Sequence, residues 1–221
     1  MNKASKSFRE LGYCSIDLSL LLPDLVQGCK DACDGIEEHD WTHIIRNSTE
    51  EVDLPYSTHP LRLKRAKADA LKVYYDGGFA FSFRRLTDLE GVRLHPAMKL
   101  FDDYLMRKDF TDLLSTLSGR SIGAMEVRYI NRFDQGDFLT THCDPGSNVG
   151  IALNLTPQWN LNFGGLTFIL NESRSSVRHT LTPSYGKLFL FDTSQRNVPH
   201  FVSMVTAPPA QNRIALIARY G

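Results

Sequence analysis

The chain has 221 residues, of which 42% are hydrophobic and 23% are charged, and its 25 basic side chains balance its 25 acidic ones. This length fits one domain with a substantial core, and zero net charge argues against a broad binding surface for nucleic acid or anionic membranes. No apolar run approaches the roughly 18 residues that cross a bilayer, and the N-terminus lacks the apolar stretch of a signal peptide, so we expect neither a membrane span nor export.

In the first half of the chain the pattern predicts helices joined by loops. Apolar residues recur at helical spacing in 21–39 and again in 95–119, where Gly119 is expected to end the helix. Between them, the aromatic-rich segment 71–86 predicts a β-hairpin that turns at 76–78.

The second half changes to short β-like runs separated by turn residues. Eight such runs occupy 122–133, 137–143, 148–156, 165–170, 178–183, 187–192, 200–206 and 212–220. Repeated short strands of this kind predict a sandwich or jelly roll rather than a doubly wound α/β fold. We therefore expect one α+β domain over 1–221, in which 120–221 form a jelly-roll core and 1–119 supply mainly helical support and a substrate lid.

Polar residues at the end of the second run suggest a metal site. His142 and Asp144 are two apart, so in a strand their side chains project from the same face. A 2-His-1-carboxylate set needs one more histidine from a distant strand, and His200, at the start of a late run, is the natural candidate. Such a set leaves coordination positions open for a chelating cosubstrate and oxygen, as in non-haem ferrous oxygenases. With seven histidines in the chain, this spacing alone is a weak signal.

Residues near the candidate ligands in sequence strengthen the metal-site hypothesis. Arg213, thirteen residues after His200, begins the last run and could hold the far end of a dicarboxylate with paired, charge-assisted hydrogen bonds. Gly164 and Gly165 open another run and allow the close approach of a neighbouring backbone. Together these features favour a metal site that also binds a dicarboxylate.

The chain resembles a known family in six segments. In chain order these are "YINRFDQGDFLTTHCD", "IALNLT", "FGGLTFIL", "LTPSYGKLFLFD", "PHFVSMV" and "RIALIARY". They resemble the double-stranded β-helix of the iron(II)/2-oxoglutarate-dependent oxygenases, and most of all its prolyl-hydroxylase-like branch. The resemblance implies that His142, Asp144 and His200 bind Fe(II). It also implies that Arg213 forms a salt bridge with the distal carboxylate of 2-oxoglutarate, assisted by Tyr129.

The resemblance also implies a reaction. It consumes 2-oxoglutarate and O2, releases succinate and carbon dioxide, and hydroxylates an unactivated C–H bond of the substrate. Radical halogenases share this fold but carry a small residue, typically glycine, in place of the carboxylate ligand, and chloride takes the vacated position. Because Asp144 is a carboxylate, we expect hydroxylation rather than halogenation.

A second resemblance concerns the substrate. The segments "SFRR" and "MEVRY" and the size of the chain are similar to small bacterial enzymes that hydroxylate or halogenate free amino acids without a carrier protein. This implies a small-molecule substrate, most simply a free amino acid. Its carboxylate would need a cation, for which Arg84 or Arg85 is a candidate, since a buried arginine is seldom left unpaired.

Three further residues are candidates for contact with the substrate. Glu126 could bind a basic side chain, such as that of lysine or ornithine, if its face of the first roll strand lines the pocket. Asn154 and Trp159 offer polar and aromatic groups near the expected opening of the roll. Ordinary ion pairs, strand-end hydrogen bonds or packing would explain each of them equally well.

Other functions stay open at this stage. A prolyl or other peptide hydroxylase of the same fold would need an open groove in place of a closed pocket. A cupin-like binding protein without catalysis would lack part of the site, which the presence of the three candidate ligands and Arg213 opposes. A nucleic-acid demethylase fits poorly with zero net charge. The sequence leaves the oligomeric state open.

The cysteines bear on the compartment. Cys14, Cys29, Cys33 and Cys143 lack the spacing of a zinc ribbon. In a chain without an export signal, they are most simply free thiols in a reducing cytoplasm. That compartment would suit a ferrous ion.

Overall fold

The computed structural model describes residues 2–86, 95–144 and 146–221, which contain five α-helices and twelve strands. The helices are α1 (Asn2–Leu11), α2 (Pro23–Asp34), α3 (Pro60–Tyr75), α4 (Pro96–Leu105) and α5 (Lys108–Ser118). The strands are β1 (Tyr13–Asp17), β2 (Thr42–Arg46), β3 (Glu51–Leu54), β4 (Phe81–Leu86), β5 (Met125–Phe133), β6 (Phe138–His142), β7 (Val149–Asn154), β8 (Thr167–Leu170), β9 (Val177–Leu181), β10 (Lys187–Asp192), β11 (His200–Val202) and β12 (Arg213–Tyr220).

All twelve strands belong to one antiparallel sheet. Its order is β1-β10-β7-β12-β5-β4-β6-β11-β8-β9, and β2 and β3 extend sideways from β4. The sheet curls so that strands far apart in this order line the same internal cavity. Helices outside a curled antiparallel sheet confirm the predicted α+β jelly roll. Every one of the eight predicted runs overlaps a strand, although β9 begins one residue before its predicted run.

The two faces of the central strands have different neighbours. On β12, Leu216, Ala218 and Tyr220 belong to the main hydrophobic core, which they share with α2, α4 and α5. The alternate residues Ala215 and Ile217 line the internal cavity. Because side chains alternate along a strand, β12 separates the helical core on one face from the cavity on the other.

The segment 95–119, predicted as one helix, forms α4 and α5. The helix is interrupted at Arg107, whose backbone is extended (φ −57°, ψ 138°). Gly119 ends α5 with a left-handed backbone (φ 70°), as the sequence predicts. The predicted helix in 21–39 is confirmed as the shorter α2. Among the described helices, none has the length and hydropathy needed to cross a bilayer.

The predicted hairpin in 71–86 is wrong. Its first arm is the last turn of α3, and the second arm is β4, which pairs with β2 rather than with a hairpin partner. Tyr74 packs on Phe138, with ring centroids 4.7 Å apart, and Ala70 is fully buried in the same cluster. This burial on the sheet favours the helix over the strand tendency of aromatic residues. The first half thus contributes β1–β4 to the sheet as well as the helices.

Candidate metal centre and cosubstrate cavity

The three predicted ligands come together at one end of the roll. His142 ends β6, Asp144 follows it, and His200 begins β11, directly opposite His142 in the strand pairing. The two imidazole rings are 4.3 Å apart between centroids. Asp144 Oδ2 lies 3.7 Å from His142 Nε2 and 3.6 Å from His200 Nε2. One ligand atom from each residue can therefore contact a single ion between them, with all three within 4.8 Å of one another.

Backbone carbonyls orient both imidazoles. His142 Nδ1 is 3.0 Å from the carbonyl oxygen of Thr140, and His200 Nδ1 is 2.9 Å from that of Val198. A carbonyl can only accept, so each Nδ1 carries the proton and donates it. Each Nε2 then presents its lone pair towards Asp144. Histidine ligands of metal ions are commonly held by such a hydrogen bond from the other ring nitrogen.

The charge state of the group also suits a divalent cation. Burial, together with the neighbouring His142, lowers the pKa of His200 to about 4, so its imidazole is neutral at pH 7. Burial alone would raise the pKa of Asp144, but its favourable interactions with His142, His200 and the charged Arg219 hold that pKa well below its usual range. A neutral imidazole and a carboxylate are what a ferrous site of this type requires.

An enclosed cavity lies beside the three ligands, between the two halves of the curled sheet. Most of its wall is apolar, including Phe189 and Phe191 of β10 and Val202 of β11. Thr167, Asn131 and Asn154 add polar groups. A largely apolar cavity with a few polar groups is typical of a small-molecule site.

Arg213 lies in this cavity with most of its hydrogen-bonding capacity unused. The side chain is 4% exposed, and Nη2 donates to Thr167 Oγ1 at 2.9 Å. Its Nε and Nη1 are buried without a hydrogen-bond partner among the described residues. Burial lowers the pKa of Arg213 only to about 10, so the guanidinium is charged at pH 7. A buried cation with two free donors fits the distal carboxylate of 2-oxoglutarate.

Two glycines make room for this arrangement. Gly164 and Gly165 both have left-handed backbones (φ 63° and 61°). A Cβ on Gly164 would lie 2.1 Å from the carbonyl oxygen of Met204, and one on Gly165 would lie 3.5 Å from Arg213 Cδ. The close backbone approach expected from the sequence is therefore present beside Arg213.

Comparison with known proteins agrees with this geometry. Residues 128–218 match the family model described as the 2OG-Fe(II) oxygenase superfamily. Over this segment, which contains the three candidate ligands and Arg213, the chain is similar to this superfamily. It is a 2-oxoglutarate-dependent dioxygenase, whose metal is Fe(II) and whose cosubstrates are 2-oxoglutarate and O2. No curated protein matches the chain significantly.

Solved structures share the fold of this oxygenase at low sequence identity. A 2OG-Fe(II) oxygenase family oxidoreductase from Burkholderia pseudomallei has a TM-score of 0.63 and 14% identity, over 100% of this chain and 89% of that one. A prolyl hydroxylase from Trichoplax adhaerens, solved with a peptide fragment of hypoxia inducible factor, has a TM-score of 0.57 and 18% identity, over 99% of this chain and 87% of that one.

Tyr129 and Asn154 line the cavity of the oxygenase, and Arg85 lies next to it. The Arg85 guanidinium stacks on the Tyr129 ring at 4.2 Å and donates from Nε to Asn131 Oδ1 at 3.2 Å. Asn154 donates to the backbone of Lys187, and its Oδ1 is buried without a hydrogen-bond partner among the described residues. These three predicted residues are therefore close to the ligand group.

The structure does not bring Arg84, Glu126 or Trp159 to the cavity. The side chain of Arg84 lies on the outer face of β4, where it forms ion pairs with Glu38 and Asp134. Trp159 lines a separate surface cleft, where its Nε1 donates to the carbonyl oxygen of Gly164 at 2.8 Å.

Glu126 is exposed because the strand pairing skips it. Tyr220 pairs with Met125 and Arg219 with Val127, so Glu126 sits in a β-bulge. Its carboxylate accepts a hydrogen bond from Ser147 at 2.6 Å, outside the cavity. The face of β5 that lines the pocket is the one that carries Tyr129.

Arg219 is a residue of the site that was not predicted from the sequence. Its Nη2 donates to Asp144 Oδ1 at 3.2 Å. Arg213 and Arg219 are six apart on β12, so strand alternation places both on the inner face. That spacing was visible in "RIALIARY" and could have revealed the residue.

Proposed function

We propose that this oxygenase hydroxylates an unactivated C–H bond of a free amino acid. The observation that carries the proposal is a pair of arginines with unused capacity for anions, one inside the cavity and one next to it. Arg213 has two buried donors without hydrogen-bond partners in the described part of the chain. Arg85 has no carboxylate partner among the described residues. Two anionic groups, one on 2-oxoglutarate and one on the substrate, would satisfy them.

In this proposal His142, Asp144 and His200 hold Fe(II), and Arg213 binds the distal carboxylate of 2-oxoglutarate. Bound there, the iron and 2-oxoglutarate provide the oxidising chemistry, which places one oxygen atom of O2 in the substrate and the other in succinate as carbon dioxide leaves. The apolar wall of the cavity excludes water from this chemistry. Arg213 and the ligands fix the position of the cosubstrate.

Asp144 supports hydroxylation over halogenation. A carboxylate at this position occupies the place that a halide would need beside the iron. Chlorinated product from the unmodified enzyme would overturn this part of the proposal.

Arg85 is the proposed binding group for the substrate carboxylate. Its guanidinium is half-buried, held flat on Tyr129 and fixed by Asn131, so little side-chain freedom is left to lose on binding. Arg84, its neighbour, is already paired with two carboxylates. A basic substrate side chain, such as that of lysine, has less support, because Asp144 is the one carboxylate among the described residues that line the cavity.

Hydroxylation of a prolyl or other peptide residue is the second candidate. One observation favours it: an open, mostly polar cleft reaches Asp144 from outside, with 143–144 and 146–147 on one side and 193–198 on the other. A peptide could lie in such a cleft with one side chain directed towards the ligands. The prolyl hydroxylase of similar fold was solved with a peptide, and peptide binding by that protein agrees with this alternative.

The deciding experiment measures succinate release. The protein is loaded with Fe(II) and 2-oxoglutarate without oxygen, and free amino acids and short peptides are then screened for stimulation after oxygen is admitted. We expect stimulation by a free amino acid, a KM for it raised at least tenfold in Arg85→Met, and an unchanged KM in the matched control Arg84→Met. Stimulation by peptides alone would reverse the order of the two candidates.

A further inference from the structure

Asp144 has a fixed partner on the side away from the two imidazoles. Its Oδ2 faces His142 and His200, while its Oδ1 accepts a hydrogen bond from Arg219 Nη2 at 3.2 Å. The two carboxylate oxygens are therefore divided between the candidate metal position and an arginine.

Arg219 is built into the wall of the roll. Its side chain is 21% exposed, and its Nε is buried without a hydrogen-bond partner among the described residues. Tyr129 lies next to the guanidinium. Strand pairing on both sides, with Gly150 of β7 and Val127 of β5, fixes the backbone of Arg219. The ion pair is therefore more than a loose surface contact, which would have little effect.

Asp144 depends on this contact for its orientation. It lies beyond the last residue of β6, outside the ladder of strand hydrogen bonds. Among its described hydrogen bonds, none comes from a backbone amide, and Arg219 is the donor that holds Oδ1. Without that donor the carboxylate could rotate and present both oxygens to an ion.

We propose that Arg219 is a positioning residue that holds Asp144 so that a single carboxylate oxygen faces the metal. The inference rests on the proposed metal site. A carboxylate held in this way occupies one coordination position and leaves the others for 2-oxoglutarate and oxygen. Loss of a partner that orients a metal ligand typically weakens metal binding about 10- to 100-fold.

The test uses the metal-free full-length protein titrated with Co²⁺, which stands in for Fe²⁺ and reports its coordination through visible absorption. In Arg219→Met we expect a Kd raised about 10- to 100-fold and an altered absorption band. Arg219→Lys, which keeps a charged donor, should recover part of the affinity. Arg128→Met removes an ion pair with Asp102 on the outer face of β5 and serves as the matched control with wild-type binding. Circular dichroism melting checks that each variant is folded.

The outcomes distinguish failure of the positioning role of Arg219 from failure of the metal site. Suppose that the Kd of Arg219→Met for Co²⁺ is within twofold of the wild-type Kd and its absorption band is unchanged, while Asp144→Ala loses binding. The positioning role is then refuted and the metal site stands. Tighter binding in Arg219→Met would also refute it, because it would mean that the arginine acts on the metal only through charge repulsion. If Asp144→Ala binds Co²⁺ like wild type, the metal site itself is refuted.

Discussion

Replacing Arg213 with methionine should have opposite effects on the free protein and on cosubstrate binding. In the free protein, Arg213 is a buried cation whose polar interactions with the described residues are one hydrogen bond to Thr167 and a contact with the Phe133 ring at 5.1 Å. Those two interactions contribute about 2 kcal/mol together, whereas burying an unpaired charge costs several kcal/mol. Arg213→Met should therefore unfold at a higher temperature than wild type when no 2-oxoglutarate is present.

Binding of 2-oxoglutarate should weaken strongly in the same variant. One edge of the guanidinium can give two charge-assisted hydrogen bonds to a carboxylate, each worth about 1.5–3 kcal/mol, and Nε and Nη1 have no partner among the described residues that would compete. Losing both costs at least about 3 kcal/mol, which raises the Kd at least about 100-fold. At a concentration 100 times the wild-type Kd, cosubstrate binding stabilises wild type by about 2.7 kcal/mol but the variant by only about 0.4 kcal/mol.

Thermal unfolding with Mn²⁺ in place of Fe²⁺ measures both effects. For a chain of this size, the wild-type melting temperature should rise by about 5–10 °C on adding 2-oxoglutarate, and that of Arg213→Met by about 1 °C. Arg213→Lys keeps the charge but has one donor group, so its rise in melting temperature should lie between those of wild type and Arg213→Met. A full wild-type shift in Arg213→Met would refute the assignment of this arginine to the distal carboxylate.

Two further predictions concern stability. Arg120 and backbone amides hold the pKa of Asp192 at about 2 against the opposing effect of burial, so this charge stabilises the fold above about pH 4 and the contribution is lost as the pH falls through about 2. Asp192→Asn should therefore lower the urea midpoint by more at pH 7 than at pH 3. A difference in midpoint between wild type and variant that is the same at both pH values would contradict this. Gly164→Ala should destabilise the protein by at least about 1 kcal/mol, because the new Cβ meets the Met204 carbonyl and the backbone is left-handed. Urea unfolding at pH 7 measures this loss, and an unchanged midpoint would show that the backbone can shift there.

The sequence predicted the roll and the proximity of the three candidate ligands because both depend on local alternation. Each strand of the second half is short, bounded by turn residues, and apolar on at least one face. The segment "THCD" places its two candidate ligands on the same face of a strand, and this does not depend on the rest of the fold. His200 and Arg213 follow from their positions at the starts of later strands. The structure brings all four to one cavity.

The errors arose where tertiary contacts decide the local structure. The aromatic residues before Gly77 have the composition of a strand, but Tyr74 is helical because it packs across β4 and β6 onto Phe138. The choice between Arg84 and Arg85 depended on which face of β4 turns inward, and this follows only from its pairing with β5. The position of Glu126 depended on a bulge, which strand alternation alone cannot reveal.

Strand β12 shows how core packing and chemistry fix the same register. Tyr220 and Leu216 are fully buried against the helices, while Arg213 and Arg219 face the other way, towards the cavity and Asp144. A shift of one residue would bury two cations among the helices and turn the tyrosine into the cavity, and each buried unpaired cation would cost several kcal/mol. The apolar face therefore specifies where the arginines lie. This is how core packing places the arginines of a site that is assembled from three separate segments.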